Sequence, residues 1–230
     1  MAANRADGLE TRNRVLASAC RLFAEQGYHD TRTAEICRAA RANVAAVNYH
    51  FGGKKQLYVA AWRHAIAQSV KTYPPDGGVP GAAPPAERLR GHVLALVRRF
   101  LDARSLDMKI ADREMLHPSG LCAEVMHHSI KPLREMLENI VRALLGPDAA
   151  PEAVRLCAMS VHAQCHAVMA HERRLRNMPR DGRRRRPPPL APGPDALAEH
   201  IVRFSLAGVR AVREDPRRGA RAAAVKGGRR

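Results

Sequence analysis

Residues 33–58 read TAEICRAARANVAAVNYHFGGKKQLY. Two short helical patterns meet in this stretch at a tight turn. Thr31 or Thr33 can cap the first, which runs to Ala40, and Asn43 can cap the second, Val44 to His50. Gly52-Gly53 then breaks the chain. Small residues (Ala39, Ala40, Ala42) stand where two helices must approach closely, and Ile36, Val47 and Phe51 supply an apolar anchor. That is the construction of a helix-turn-helix, whose second helix enters the major groove of DNA. The exposed face of that helix would carry Asn43, Ala45, Ala46, Asn48, Tyr49 and His50. Small side chains let the backbone approach base edges and can touch a thymine methyl, and asparagine can read adenine. Tyr49 and His50 can donate to phosphates, while Lys54 adds a cation beside helix N–H groups that favour an anion.

On the N-terminal side, Val15, Leu16, Ala19, Leu22 and Phe23 form an amphipathic helix that Gly27 is placed to stop. On the C-terminal side, Lys54 opens a helix whose apolar face is Leu57, Tyr58, Ala61, Trp62 and Ile66. Tyr73 to Pro85, rich in proline and glycine, reads as a linker or surface loop. Helical patterns resume at 88–103, 106–116, 122–145, 152–177 and 195–213, and no run alternates at period two. The fold is therefore expected to be all-α. The expected organisation is a DNA-binding domain over 9–69, a second helical domain over 86–213, and a basic, disordered tail over 214–230.

The chain has 230 residues, 46% hydrophobic and 27% charged, which is enough for one or two packed domains. No apolar run is long enough to span a membrane. The polar first nine residues do not read as a secretory signal, and five cysteines at scattered spacings fit reduced thiols; together these point to a cytoplasmic protein. The net charge of +17 suggests a polyanionic partner. Its distribution weakens that inference. Residues 1–71 carry +6, whereas +12 sits in 173–190 and 213–230, around the Arg183–Arg186 run and the tail. Only six of the 39 basic residues are lysine, the pattern that a GC-rich genome produces without selection for binding.

The Leu22-Phe23-Ala24-Glu25-Gln26-Gly27-Tyr28 run, Ile36, Tyr49-His50-Phe51 and Lys54 with Leu57-Tyr58 resemble the N-terminal DNA-binding domain of the TetR family of bacterial repressors. The resemblance covers residues 9–68. It implies base-edge contact from Val44, Ala45 and Asn48, and phosphate contact from Thr31 or Thr33, Ala46 (through its backbone), Tyr49, His50 and Lys54. The turn glycine usual in the family is Arg41 here, so either a non-glycine residue takes the turn conformation or the turn deforms. Further strings are similar to a CecR-like branch of the family. They are Asn43 through Lys54, Arg113-Glu114-Met115 with Pro118, Ile130-Lys131-Pro132, Leu156 through Ser160 with Gln164-Cys165, and His200-Ile201 with Phe204-Ser205-Leu206.

The resemblance implies a homodimeric repressor that binds a double-stranded operator and is released by a small-molecule effector. It also implies a dimer interface on the last two helices, for which Leu156, Val161, Val168, Leu197, Ile201 and Phe204 are candidates. Met126, Met159, His162, Cys165, His166 and Met169 are candidate effector contacts. His162 and His166 lie four apart with Cys165 beside them, a spacing that permits joint ligation of zinc or copper. The alternative is that methionine and cysteine line an apolar pocket or fill the core. No third ligand is fixed by spacing, so no metal or cofactor is assigned. A metal- or thiol-responsive regulator of the same fold and a non-specific basic DNA-binding protein are the competing readings. Nothing in the sequence carries catalytic chemistry.

Overall fold

The computed structural model describes residues 2–177, 188 and 193–214. The Arg183–Arg186 run and the tail beyond Glu214 lie outside the described residues. Among the described residues every regular element is helical: α1 (Ala2–Asp30), α2 (Thr33–Ala40), α3 (Val44–Phe51), α4 (Lys54–Thr72), α5 (Pro85–Leu101), α6 (Leu106–Leu116), α7 (Cys122–Val125), α8 (Lys131–Leu145), α9 (Pro151–Asn177) and α10 (Pro194–Glu214). A π-helical turn, Met126–Ile130, joins α7 to α8. The chain divides into two compact units that are not continuous in sequence. One holds Met1–Pro74 with Asp102–Leu133, the other Pro75–Leu101 with Arg134 onward.

The first unit is built around Phe23, Ile36, Val47, Leu57, Tyr58 and Ile110, all buried. Tyr58 is the hub, with its ring edge-on to Phe23 at 4.9 Å and to Tyr28 at 5.1 Å. Such pairs contribute about 0.5–1.5 kcal/mol each beyond their buried area. Gly27 breaks α1 near its end with φ 83°, as the sequence predicts. The helix itself begins earlier than the amphipathic pattern does, at Ala2. Asn43 caps α3 by accepting from the Ala45 N–H at 3.0 Å. Neither threonine caps α2. Its N-cap is Arg32, whose N–H is held at 3.2 Å by the Glu35 carboxylate. The expected helix over 122–145 contains the π turn because Pro132 has no N–H to donate and its ring crowds the preceding turn. The Lys131 N–H accordingly reaches back five residues to the Met126 carbonyl.

In the second unit α5 packs against α9 and α10, and α9 against α10. Its buried set includes Leu89, Val93, Val97, Val161, Cys165 and Ile201. Two surface ion pairs, Arg90–Glu199 and Arg98–Asp195, tie α5 to α10. Residues 75–84 form turns, but they are a fastened loop and not a free linker. The His92 imidazole bonds the Pro75 carbonyl at 2.7 Å, and a Cβ on Gly91 would stand 2.6 Å from the Asp76 oxygen. No described helix is long and apolar enough to cross a membrane.

Candidate nucleic-acid interface

The turn between α2 and α3 is closed by two backbone bonds, Arg41 N–H to the Arg38 carbonyl at 3.2 Å and Ala42 N–H to the Cys37 carbonyl at 2.9 Å, and the Arg14 guanidinium of α1 donates to the Ala40 carbonyl at 3.2 Å. Arg41 takes the left-handed conformation, φ 50° and ψ 48°, so the turn keeps its shape without a glycine. Ile36 and Val47 are fully buried and lock the two helices together. Phe51 is half-buried, with the Arg12 guanidinium 5.1 Å over its ring. With Val47 turned inward, helical periodicity turns Ala45, Asn48 and Tyr49 outward, and these three are exposed, Tyr49 to 85%. Val44, on the Val47 side at the first position of the helix, is exposed as well. Ala46, His50 and Thr33 are half-buried at the edges of this face. Asn43 is exposed, but its side-chain oxygen is occupied by the cap.

Two of the expected phosphate-contact residues are placed differently from the expectation. Thr31 is fully buried and donates its hydroxyl to the Gly27 carbonyl at 2.6 Å, which removes that side chain from the phosphate set. The break at Gly27 leaves a helix-end carbonyl without a partner, and Thr31 supplies one. Lys54 is half-buried. Its ammonium sits 4.5 Å over the Tyr28 ring and donates to the His29 carbonyl at 3.4 Å. Burial lowers its pKa, partly opposed by the nearby Asp30 carboxylate.

A polar network behind the helix-turn-helix was not anticipated from sequence. Glu114 of α6 is buried, accepting the Tyr58 hydroxyl at 2.8 Å on one oxygen and the Ser119 N–H and hydroxyl at 3.0 and 2.9 Å on the other. Burial first, then the Glu114 hydrogen bond and charge, push the Tyr58 phenol well above its ordinary value and keep it a donor. Arg113 donates to the Glu25 carbonyl, and the His29 imidazole bonds the Pro118 carbonyl at 3.2 Å. The C-terminal end of α6 thus holds both the end of α1 and the start of α4. The Arg113-Glu114-Met115…Pro118 string was its only trace in the sequence.

Within the second unit the candidate effector residues are not all drawn together. Met126 lies in the π turn of the first unit, and the other five lie in the second. Met159 is 62% exposed on the outer side of α9, whereas Cys165 and Met169 are buried in the core. Burial pushes the Cys165 thiol up to about 12, and so away from the thiolate that redox sensing requires. His162 and His166 do come together, ring centroids 4.6 Å apart, and both flank Phe100. Desolvation and then the neighbouring His166 lower His162 to about 4, although part of its surface remains open to solvent. Among the described residues no three His, Cys, Asp or Glu side chains are grouped to hold a metal ion.

The candidate interface residues also divide. Val161, Leu197 and Ile201 are buried within their own chain, so they are closed to a partner. Leu156 and Phe204 are 51% and 64% exposed, and Val168 is half-buried.

Comparison with known proteins places this geometry among DNA-binding regulators. Residues 15–61 match the bacterial regulatory proteins of the tetR family, and residues 85–209 match the C-terminal domain of the HTH-type transcriptional dual regulator CecR. The CecR dual regulator of Shigella flexneri is 29% identical over 152 residues, 62% of this chain and 68% of the relative. Among solved structures, the fatty acid degradation regulator FadR from Bacillus halodurans superposes with a TM-score of 0.63 at 14% identity, covering 87% of this chain and 96% of that one. AibR in complex with isovaleryl coenzyme A and operator DNA gives a TM-score of 0.58 at 20% identity, covering 84% and 97%. These structures share the fold.

Proposed function

Because the chain belongs to the TetR family of transcriptional regulators and carries a CecR-type C-terminal domain, we propose that it acts as a homodimeric repressor released from its operator by a small organic ligand. The exposure of Val44, Ala45, Asn48 and Tyr49 on α3, above the buried Ile36–Val47 anchor, is the observation that carries the operator-reading part. Val44, Ala45 and Asn48 meet base edges, while Thr33, Tyr49 and His50 hold phosphates. The Lys54 ammonium is engaged by Tyr28 and His29, and the Ala46 N–H, also expected at a phosphate, is taken by the Asn43 carbonyl at 2.9 Å. Selection of bound fragments from genomic DNA at physiological salt tests it. Enrichment of a two-fold symmetric site is expected, and uniform coverage that collapses with salt would overturn it in favour of a non-specific basic protein.

One short recognition helix reads too few base pairs for specificity, so two copies are required. The second unit offers a surface for that pairing. Leu156 and Met159 on α9 and Phe204 on α10 are exposed among the small exposed residues Ala163, Ala167, Ala207 and Gly208. Large apolar groups bordered by small ones suit close helix-to-helix approach. Phe204→Arg is therefore expected to weaken dimerisation by roughly 100-fold or more, since it removes an aromatic anchor and desolvates a charge. Sedimentation at micromolar concentration reads the result. A wild-type protein that is monomeric with and without DNA would overturn the dimer.

Release follows by population shift. An effector that prefers a conformation with wrongly spaced recognition helices weakens operator binding by that preference and no more. AibR, a protein of the same fold, was captured with an acyl-coenzyme A and its operator, which supports an organic effector. The burial of Cys20, Cys37, Cys157 and Cys165 favours this over thiol sensing.

A further inference from the structure

We infer that Arg41 is an additional DNA-contact residue of this chain, its guanidinium taking a backbone phosphate beside the N-terminus of α3. The inference rests on the DNA-binding reading above. Arg41 is the only non-glycine residue with positive φ among the described residues, at 50°. A residue with a Cβ adopts that region at a cost, whereas glycine adopts it freely. The fold does not use the side chain in return. The turn is closed by main-chain bonds, and the Arg41 side chain is exposed with no hydrogen bond, ion pair or ring contact among the described residues. Arg38, one turn earlier, is exposed and equally free of ion pairs, so two cations stand together there without an acidic partner. Glu35, the nearest carboxylate in sequence, is occupied by the Arg32 N–H.

The position suits an anion. Arg41 lies two residues before the cap of α3, where Asn43 takes the Ala45 N–H on its side chain and the Ala46 N–H on its carbonyl, and the helix dipole favours negative charge at the same place. A planar guanidinium with five donors matches phosphate geometry. A strained backbone carrying an unpartnered cation next to a recognition helix is best explained by a contact made only in the complex.

The test uses the full chain and a short mixed-sequence DNA duplex, because a phosphate contact does not depend on base sequence. Binding is measured by fluorescence anisotropy between about 50 and 200 mM salt for wild type, Arg41→Gly and Arg41→Lys. For Arg41→Gly the log–log salt slope is expected to fall by about 0.9, and affinity by about eightfold near ~0.1 M salt. Its thermal midpoint should be unchanged or higher, because glycine relieves the backbone. Arg41→Lys should keep the wild-type slope. An Arg41→Gly slope equal to wild type, an Arg41→Lys slope as low as that of the glycine variant, or a loss confined to particular base sequences would each overturn the assignment. A wild-type protein that binds no duplex would instead overturn the DNA-binding reading itself.

Discussion

Ala45→Glu will fold and melt like the wild type and will lose operator binding by roughly 100-fold or more. Ala45 is exposed in the first turn of α3, where it touches nothing that the fold needs. A carboxylate at a helix N-terminus is favourable by about 0.3–1 kcal/mol, so stability should hold or rise slightly. In the proposed complex the same carboxylate would face base edges between two rows of phosphates. It has lost its water there, lacks a partner cation and is repelled by like charge, a combination that costs several kcal/mol. The proposed dimer would bear the cost at both half-sites. Anisotropy on the selected operator and a thermal melt on the same preparation separate the two effects. Operator binding within about threefold of wild type would place α3 outside the groove. A lowered midpoint would show that Ala45 supports the fold.

Local signals in the sequence were reliable wherever the local backbone was the cause. Asn43 caps α3, Gly27 breaks α1 and Gly52 ends α3 because each of these follows from the residue's own chemistry. Thr31 shows the limit of such signals. A threonine before a helix reads as a cap, but the carbonyl left open by the break at Gly27 took its hydroxyl, and Glu35 did the capping work at Arg32 instead. Periodicity failed for a different reason on α9 and α10. Both helices are apolar on more than one side, so spacing cannot say which side meets their own chain. Val161, Leu197 and Ile201 went inward, and Leu156, Met159 and Phe204 outward. In the His, Met and Cys wealth of the C-terminal half only the four-residue spacing of His162 and His166 carried geometry, and only those two rings meet, 4.6 Å apart, while Met159 is exposed and Cys165 and Met169 are buried. The Tyr58–Glu114 bond spans 56 positions, and no spacing rule reaches that far.

That bond carries the largest stability effect expected in the chain. Glu114→Ala leaves three donors without their acceptor: the Tyr58 hydroxyl and the N–H and hydroxyl of Ser119. Each unmet buried donor costs about 1–3 kcal/mol, and Tyr58 sits at the centre of the aromatic hub where water cannot replace the carboxylate. Ser119 is half-buried and can recover part of its loss from solvent. A destabilisation of about 3–5 kcal/mol is expected, a large share of the ~5–15 kcal/mol that holds a domain folded. Tyr58→Phe removes one donor together with its bond and should cost only about 1–2 kcal/mol. The two together should cost less than the sum, because without the phenol the missing carboxylate strands one donor fewer. Denaturant titration of the four proteins measures this coupling directly. If Glu114→Ala lies within about 1 kcal/mol of wild type, the buried carboxylate is not what fastens α6 to α4, and apolar packing around Ile110 and Leu57 must carry that joint alone.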